Sequence, residues 1–587
     1  MKRPSRKERK STSAAANTAA APGRLRRWSR AVFPSFEEIR THRIEALACL
    51  AAGLLMILPY PRFNFWPVAW FGLAPMLWAL PRARNAKLAV WLGFAFAYPF
   101  YYGNISWLNT LIIFHWAAPI GIALLALYLT LFTIPFSLTA AALLRRRPYL
   151  ALILLPALWC ALEFIRDWGQ LAFPWIYLGH SQWNNILILQ IAEYTGVFGI
   201  SFLILAYNIL LAELARLCLE RKRSAIVIVA YTAFSLIILG IIHFGAACLI
   251  PRSKLIETGQ NHDDARLRIA LCQPNIDQVT KLQSYSYFGA KTEEEAEQNY
   301  EAANMRINST MQKLTMQAAG QNPERLDLIV WPESAMTDMY FNLRPQDQAT
   351  LAEWAQDAGA PIFMGASFCQ RVPGKSLDEA RFYNSAYLIE PGKGPVDDVY
   401  HKMQLVPFGE HLPYFNKIPF LRTFTGIEDF MAGDEYTQFK LHGGAHQQKE
   451  CQFGALICFE SSISRLTRGM VRAGAEFLVI VTNDAWYGLS KGPEHHMIHS
   501  VFRAVESRRW IVRCANTGVS CVIAPDGRVQ QRFEVGAQGV LCANIEPRKD
   551  ADGAFYTRHG DLFAWFCFLL GIAAIILGRK KRSNESK

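Results

Sequence analysis

The chain has 587 residues, 52% hydrophobic and 19% charged, which is room for more than one domain. Its formal charge of +13 does not read as a nucleic-acid surface: ten Lys or Arg crowd into the first 30 residues, and other clusters sit between apolar runs, as in cytoplasmic loops of membrane proteins. Twelve cysteines without a CxxC spacing exclude a cysteine-ligated metal cluster and a dithiol redox motif.

Residues 1–35, rich in Lys, Arg, Ser and Ala, are too polar to fold and predict a disordered basic tail. The first apolar run starts near Ile44 after a long basic lead and another follows at once, so no cleavable signal peptide is expected. Apolar runs lie at about 44–60, 66–80, 88–108, 117–142, 149–165, 196–217, 224–250 and 562–578. Several approach the roughly 20 residues that cross the hydrocarbon layer. Eight spans are expected. The basic stretches at 81–87, 145–147, 221–223 and 579–582 follow spans two, four, six and eight. Both termini are therefore expected in the cytoplasm, with the polar segment between spans seven and eight outside.

One external loop is unusual. Glu163 to Arg166, followed by Phe173-Pro174-Trp175-Ile176-Tyr177-Leu178-Gly179-His180, is aromatic with a few polar groups. It reads either as an interfacial aromatic belt or as a re-entrant wall of a lipid-access cleft.

From Arg266 to about Ile545 short β runs alternate with amphipathic helices. Strands are expected at 268–271, 326–331, 361–365, 385–389, 453–457, 477–482, 511–515, 520–524 and 539–543, and helices at 293–317, 346–358, 463–473 and 495–507. Pro525-Asp526-Gly527-Arg528 predicts a hairpin turn. An α/β layered domain follows, its strand order open.

Four stretches of this domain carry chemistry. Ile329-Val330-Trp331-Pro332-Glu333-Ser334 presents a carboxylate at a strand end. Tyr400-His401-Lys402 precedes Pro407-Phe408-Gly409-Glu410-His411. Ala455-Leu456-Ile457-Cys458-Phe459-Glu460-Ser461-Ser462 puts a thiol at a strand-to-helix elbow, where backbone N–H groups are expected to favour a thiolate. Thr482-Asn483-Asp484-Ala485-Trp486-Tyr487-Gly488 is another strand end opening into a loop. Together they suggest acyl transfer: Glu333 as general base, Cys458 as nucleophile, and Lys402 with the backbone N–H near Phe459 facing the tetrahedral oxyanion. Taken singly, Glu333 or Lys402 reads more often as a surface ion-pair member; the trio together reads evenly either way. Trp486 and Tyr487 either line an acyl entrance or pack under their loop. His495, His496 and His499 share a helix but have no carboxylate or cysteine partner at metal-ligand spacing, so no metal is expected; Arg503 and Glu506, three apart, predict an ion pair.

Glu333, Lys402 and Cys458, in that order and context, resemble the catalytic triad of the nitrilase (carbon-nitrogen hydrolase) superfamily. With apolar spans before the domain and one after, the chain from about 40 to 580 resembles the apolipoprotein N-acyltransferase family of bacterial inner membranes. The motifs are Trp331-Pro332-Glu333-Ser334-Ala335, Leu405-Val406-Pro407-Phe408-Gly409-Glu410, Ile457-Cys458-Phe459-Glu460, Asn483-Asp484-Ala485-Trp486-Tyr487-Gly488 and Asn516-Thr517-Gly518.

The resemblance implies an α/β fold class, a nitrilase-like α/β/β/α sandwich inserted before the last helix of an eight-helix transmembrane bundle. Its divisions would be a basic cytoplasmic tail at 1–35, seven helices in 36–255, an external catalytic domain at 265–548, the eighth helix at 560–579 and a basic tail at 580–587. It implies a monomer without cofactor that moves the sn-1 acyl chain of a phospholipid, usually phosphatidylethanolamine, to Cys458. The thioester would then acylate the α-amino group of an S-diacylglyceryl cysteine at a lipoprotein N-terminus, on the periplasmic side. Glu410, Asn384, Glu460, Phe459 and Asn483 match supporting positions, and Trp486, Tyr487 and Trp175 are candidate lipid contacts. Two positions depart from the family pattern: Phe459 stands where a Tyr is common, and Leu282 where a Trp usually follows the lysine. A membrane-tethered amidase with water as acceptor, and a lipid-binding scaffold with a dead domain, are the competing readings.

Overall fold

The computed structural model describes residues 34–221, 224–257, 266–285, 288–321, 326–414, 430–441, 450–549 and 553–579. The expected basic tails lie outside these residues except for positions 34 and 35, as do Lys222 and Arg223.

The N-terminal half is helical, with α1 (Arg43–Leu55), α2 (Ala86–Ile105), α3 (Ala118–Leu131), α4 (Thr133–Arg146), α5 (Pro148–Ile165), α6 (Val197–Leu219) and α7 (Ala225–Glu257). Among the described residues five helical stretches are long and apolar enough to cross a membrane: 118–146, 148–165, 197–219, 225–247 and 562–579. The expected runs at 44–60 and 66–80 are not continuous helices. Pro59, Pro61, Pro67 and Pro75 withdraw backbone donors there, and the chain breaks into α1, a 3-10 turn at Trp66–Trp70 and a six-residue helix at Ala74–Ala79. The third, α2, is 20 residues long and carries Pro99 in its interior.

Past α7 come two six-stranded sheets. The first has the order β12-β1-β2-β3-β4-β5, built from β1 (Leu267–Gln273), β2 (Leu328–Val330), β3 (Ile362–Gln370), β4 (Arg381–Glu390), β5 (Gly394–His401) and β12 (Gly539–Ile545). The second has the order β11-β10-β9-β8-β7-β6, from β6 (Gln438–Leu441), β7 (Cys451–Ile457), β8 (Phe477–Thr482), β9 (Ile511–Ala515), β10 (Cys521–Ile523) and β11 (Val529–Arg532). At the centre of each sheet three strands run parallel, β1 to β3 and β7 to β9, and these central strands are apolar on both faces because both faces are covered. The hairpin expected at 525–528 joins β10 to β11.

The inner faces of the sheets meet in a dry core. Phe363 of β3 lies edge-on to Phe439 and Phe453, at 5.0 and 5.1 Å between ring centroids. Outside the first sheet lie α8 (Glu293–Gln321) and α9 (Pro345–Ala358), and the buried Trp331 indole donates to Thr315 Oγ1 of α8 at 3.1 Å. Outside the second lie α10 (Ser464–Arg472) and α11 (Gly492–Ser507), where Gly454 of β7 leaves room for Met470. The result is the α/β/β/α sandwich. The last helix, α12 (Leu562–Arg579), returns to the helical half, with Gly571 against Leu158 and Ala161 of α5 and Trp565 edge-on to Phe164.

Candidate active site

The chemistry-bearing residues sit where parallel strands end. Glu333 follows β2, Cys458 follows β7 and Asn483 follows β8, while Lys402 follows β5. Loops at the carboxyl ends of central parallel strands are the usual place for a site in such sheets.

Glu333 is held from every side. Its Oε1 accepts Asn384 Nδ2 at 2.8 Å and lies 3.6 Å from Lys402 Nζ, and its Oε2 accepts the Asn483 backbone N–H at 2.7 Å. The turn behind it is strained, with Ser334 at φ 49°. Gly365 lets that turn approach: a Cβ there would meet Glu333 Cα at 2.7 Å. Lys281, almost fully buried, donates its Nζ to the carbonyls of Glu333 at 3.2 Å and Ser334 at 3.0 Å.

Lys402 is 1% exposed and lies between two carboxylates, 2.7 Å from Glu410 Oε1 and 3.6 Å from Glu333. Asn384 Nδ2 also donates to Glu410 Oε1 at 2.9 Å, so one amide tethers both acids, and Glu410 Oε2 accepts Val406 N–H at 2.8 Å. Burial works to lower the Lys402 pKa, but Glu410, Glu333 and Cys458 outweigh it and raise it. Two carboxylates around one ammonium leave a net negative charge, which is the capacity to accept one proton.

Cys458 stands at φ 53°, in the left-handed region, and opens a 3-10 turn (Cys458–Ser462) before α10. The sequence expectation of a resting thiolate is reversed. Burial first, then the Glu333 charge, pushes the thiol pKa up, against the opposing pull of Lys402.

Glu460 locks the elbow to the lysine segment. Its carboxylate accepts Ile457 N–H at 2.7 Å, Met403 N–H at 2.6 Å, Gln404 N–H at 3.0 Å and Tyr400 O–H at 2.8 Å. Phe459, 5% exposed, stacks on Trp175. The Asn483 side chain donates to Gln278 and accepts from Asn516 Nδ2, both at 2.9 Å.

The three aromatic candidates for lipid contact sit between the two halves of the molecule. Trp175 is buried among Phe459, His496 and His499, so its loop is a wedge behind the elbow and not an exposed belt. Tyr487 lies edge-on to Trp107 at 4.8 Å and Trp486 edge-on to Phe114 at 5.1 Å. Arg503 and Glu506 form the expected ion pair at 2.7 Å, fully inside the fold.

Sequence spacing missed one cluster. A nitrogen of His496, a carboxylate oxygen of Asp484 and Cys458 Sγ lie within 4.8 Å of one another. His496 Nδ1 is 2.8 Å from Asp484 Oδ1 and Nε2 is 3.0 Å from the Cys458 carbonyl oxygen, so neither nitrogen offers a free lone pair to a cation. Asp484 also takes Arg513 Nη2 at 3.1 Å. These partners lie 38 and 12 residues from His496, beyond any local motif.

Against known proteins, the model described as "Apolipoprotein N-acyltransferase N-terminal domain" matches residues 52–210, and "Carbon-nitrogen hydrolase" matches 268–549. The apolipoprotein N-acyltransferase of Geobacter metallireducens is 32% identical over 559 residues, covering 94% of this chain and 98% of that protein. The chain belongs to the apolipoprotein N-acyltransferase family. Family members from Chlorobaculum tepidum and Rickettsia prowazekii are 28% and 26% identical, over 91% and 90% of this chain and 96% and 97% of theirs. A Nesterenkonia amidase of the nitrilase superfamily covers 52% of this chain and all of its own at a TM-score of 0.34 and 16% identity. As an apolipoprotein N-acyltransferase family member, the chain is a membrane acyltransferase. The match runs through the helical half as well as the hydrolase-like half, which disfavours the tethered amidase and the scaffold.

Proposed function

We propose that Cys458 carries an acyl chain from a phospholipid to the α-amino group of a diacylglyceryl cysteine at a lipoprotein N-terminus, in a ping-pong cycle. Glu333 takes the Sγ proton and the sulfur attacks the sn-1 ester carbonyl. Lys402 faces the oxyanion of the tetrahedral intermediate. On collapse the lysophospholipid oxygen leaves with the proton that Glu333 held, and a thioester remains. The incoming amine then gives its proton to Glu333, attacks the thioester, and the released thiolate takes that proton back.

The observation that carries this reading is the partly buried cage in which Asn384 and Lys402 both engage Glu333 and Glu410, with the Glu333 and Lys402 charges both acting on Cys458. Glu410 and Asn384 hold the lysine and the base in register, Glu460 fixes the elbow, and Asn483 orients the carboxylate through its backbone. A bilayer-facing site suits both lipidic substrates, since each CH2 brought into water costs about 0.8 kcal/mol. Phosphatidylethanolamine is the proposed donor, with Trp486 and Tyr487 toward the acyl chain and Trp175 supporting from behind.

The proposed membrane arrangement is eight spans in a monomeric inner-membrane protein, seven in 36–255 and one at 560–579. Both termini lie in the cytoplasm and the catalytic domain, 265–548, on the periplasmic side. It rests on the basic stretches that follow every even-numbered run. A reporter fused after Lys587 should read as cytoplasmic; an external signal overturns the count. For the chemistry, mass spectrometry of the Cys458 peptide after incubation with phospholipid alone should show a stable added acyl group. Rapid release of free fatty acid with no acylated peptide would favour the water-using amidase.

A further inference from the structure

We propose that Glu163 and Arg166 are the two ends of a binding site for one water molecule, set inside the helical half where α5 runs into the Trp175 loop. Glu163 is 3% exposed and Arg166 2%, and they stand three residues apart, close enough to share one side of the helix end. Glu163 Oε1 accepts the Trp159 indole N–H and the Leu178 backbone N–H, each at 2.8 Å. Its other oxygen, Oε2, and both terminal nitrogens of Arg166 are buried with no hydrogen-bond partner among the described residues, so these atoms do not reach each other. The Tyr177 and Tyr101 rings, centred 4.8 and 5.5 Å from the guanidinium carbon, offer that charge their faces. Face contacts leave the N–H groups themselves without acceptors, and a guanidinium buried among apolar helices is costly to keep that way.

A cavity meets these atoms. Tyr101 of α2, Thr133 of α4 and Trp159 of α5 enclose it together with Glu163 and Arg166, and it offers about 10 Å³ to the centre of a water-sized sphere, the room of one solvent molecule. Thr133 Oγ1 already donates to the Thr130 carbonyl at 2.7 Å, so toward the cavity it can only accept. A water there accepts from the Arg166 N–H groups and donates to Glu163 Oε2 and Thr133 Oγ1, which uses all of its hydrogen-bonding capacity. A halide would take the guanidinium donors but would turn an anion toward Glu163 Oε2 and the Thr133 lone pair, and an apolar occupant would satisfy none of them. The same two residues hold the loop behind the elbow: Glu163 takes Leu178 N–H, and Arg166 lies against Tyr177. The water joins these two holds at the point where that loop leaves the helix.

The test is millisecond X-ray hydroxyl-radical footprinting of the full-length protein in detergent, read by peptide mass spectrometry. Radicals born from a bound water oxidise the side chains that touch it, whereas radicals from bulk solvent stop at the surface. Tyr101 and Trp159, each 3% exposed, should be oxidised several-fold more than Tyr60, which is 1% exposed and lies outside the cavity lining. Arg166→Met removes the guanidinium donors and should cut that labelling several-fold. Tyr101 and Trp159 as silent as Tyr60 would overturn the proposal, and so would labelling that Arg166→Met leaves unchanged. Should Arg166→Met not fold, the comparison with Tyr60 in the wild type decides alone. The result is independent of the acyl-transfer reading, because the site does not use Cys458.

Discussion

Trp175 of the helical half stacks on Phe459 of the catalytic half, with ring centroids 5.6 Å apart and planes 11° from parallel. Phe459 is the residue after the proposed nucleophile, so the membrane part reaches the back of the elbow. The loop carrying Trp175 is pinned by Leu178 N–H to Glu163 at 2.8 Å, by Tyr60 O–H to the Tyr177 carbonyl at 3.0 Å and by Gly179 N–H to Ser201 at 2.9 Å. Trp175→Ala should cost about 3–5 kcal/mol in stability, by the usual penalty for emptying a large aromatic site, and should slow transfer. Trp175→Phe should retain most of both. Thermal unfolding and transfer rates in detergent check this; an unchanged melting temperature in the alanine variant would mean the wedge bears no load.

Cys458→Ala should abolish transfer while leaving membrane insertion intact. Glu333→Gln and Lys402→Ala should each lose on the order of a hundredfold or more in rate, the scale of losing a general base or an oxyanion partner. Near-normal turnover in either would remove its assigned role. Glu410→Gln keeps the shape but halves the charge around Lys402, so it should fall between these variants and wild type.

Lys281 gives the rate an alkaline limb. Its ammonium holds the Glu333 and Ser334 carbonyls, and burial, against the pull of Glu333, brings its pKa down to about 8. Above that pH the strained turn loses its charged donor and transfer should fall. Lys281→Met should lower the plateau and erase the limb. For folding the sign is opposite: a depressed lysine pKa means this contribution is complete above the unfolded value near 10.5 and is lost as pH falls through about 8.

Glu460 makes stability fall on the other side of neutrality. Burial, only partly offset by its four donors, raises its pKa from 4.5 to about 7, so the folded chain holds a proton there that the unfolded chain has released. Stability from this group is present below about 4.5 and is lost as pH rises through about 7. Melting temperatures between those two pH values should decline less steeply in Glu460→Gln; an unaltered slope would show that Glu460 is ionised throughout.

Much of the catalytic half is legible from local pattern. β8 and β9 have the bounds that their apolar runs suggest, and the four longer helices of that half follow their periodicity to within a few residues. The strands that escaped, β5, β6 and β11, are the edges of their sheets, where Gly-Pro-Val-Asp-Asp or Val-Gln-Gln-Arg carries little apolar signal because one side stays open. In the helical half, hydropathy marked two runs as spans that prolines divide, since a window of composition does not register a missing N–H.

By itself the sequence determined that a membrane-embedded half precedes an α/β half, and that Glu333, Lys402 and Cys458 stand in motifs at strand ends, because burial period and strand-end chemistry are written within a few residues. Only the tertiary structure decided that Asn384 and Lys402 tie two carboxylates together, that burial and the Glu333 charge push the Cys458 thiol pKa up, and that His496 and Trp175 back the elbow. Those properties depend on distance between groups tens to hundreds of residues apart, and on the loss of water around them, neither of which a linear pattern contains.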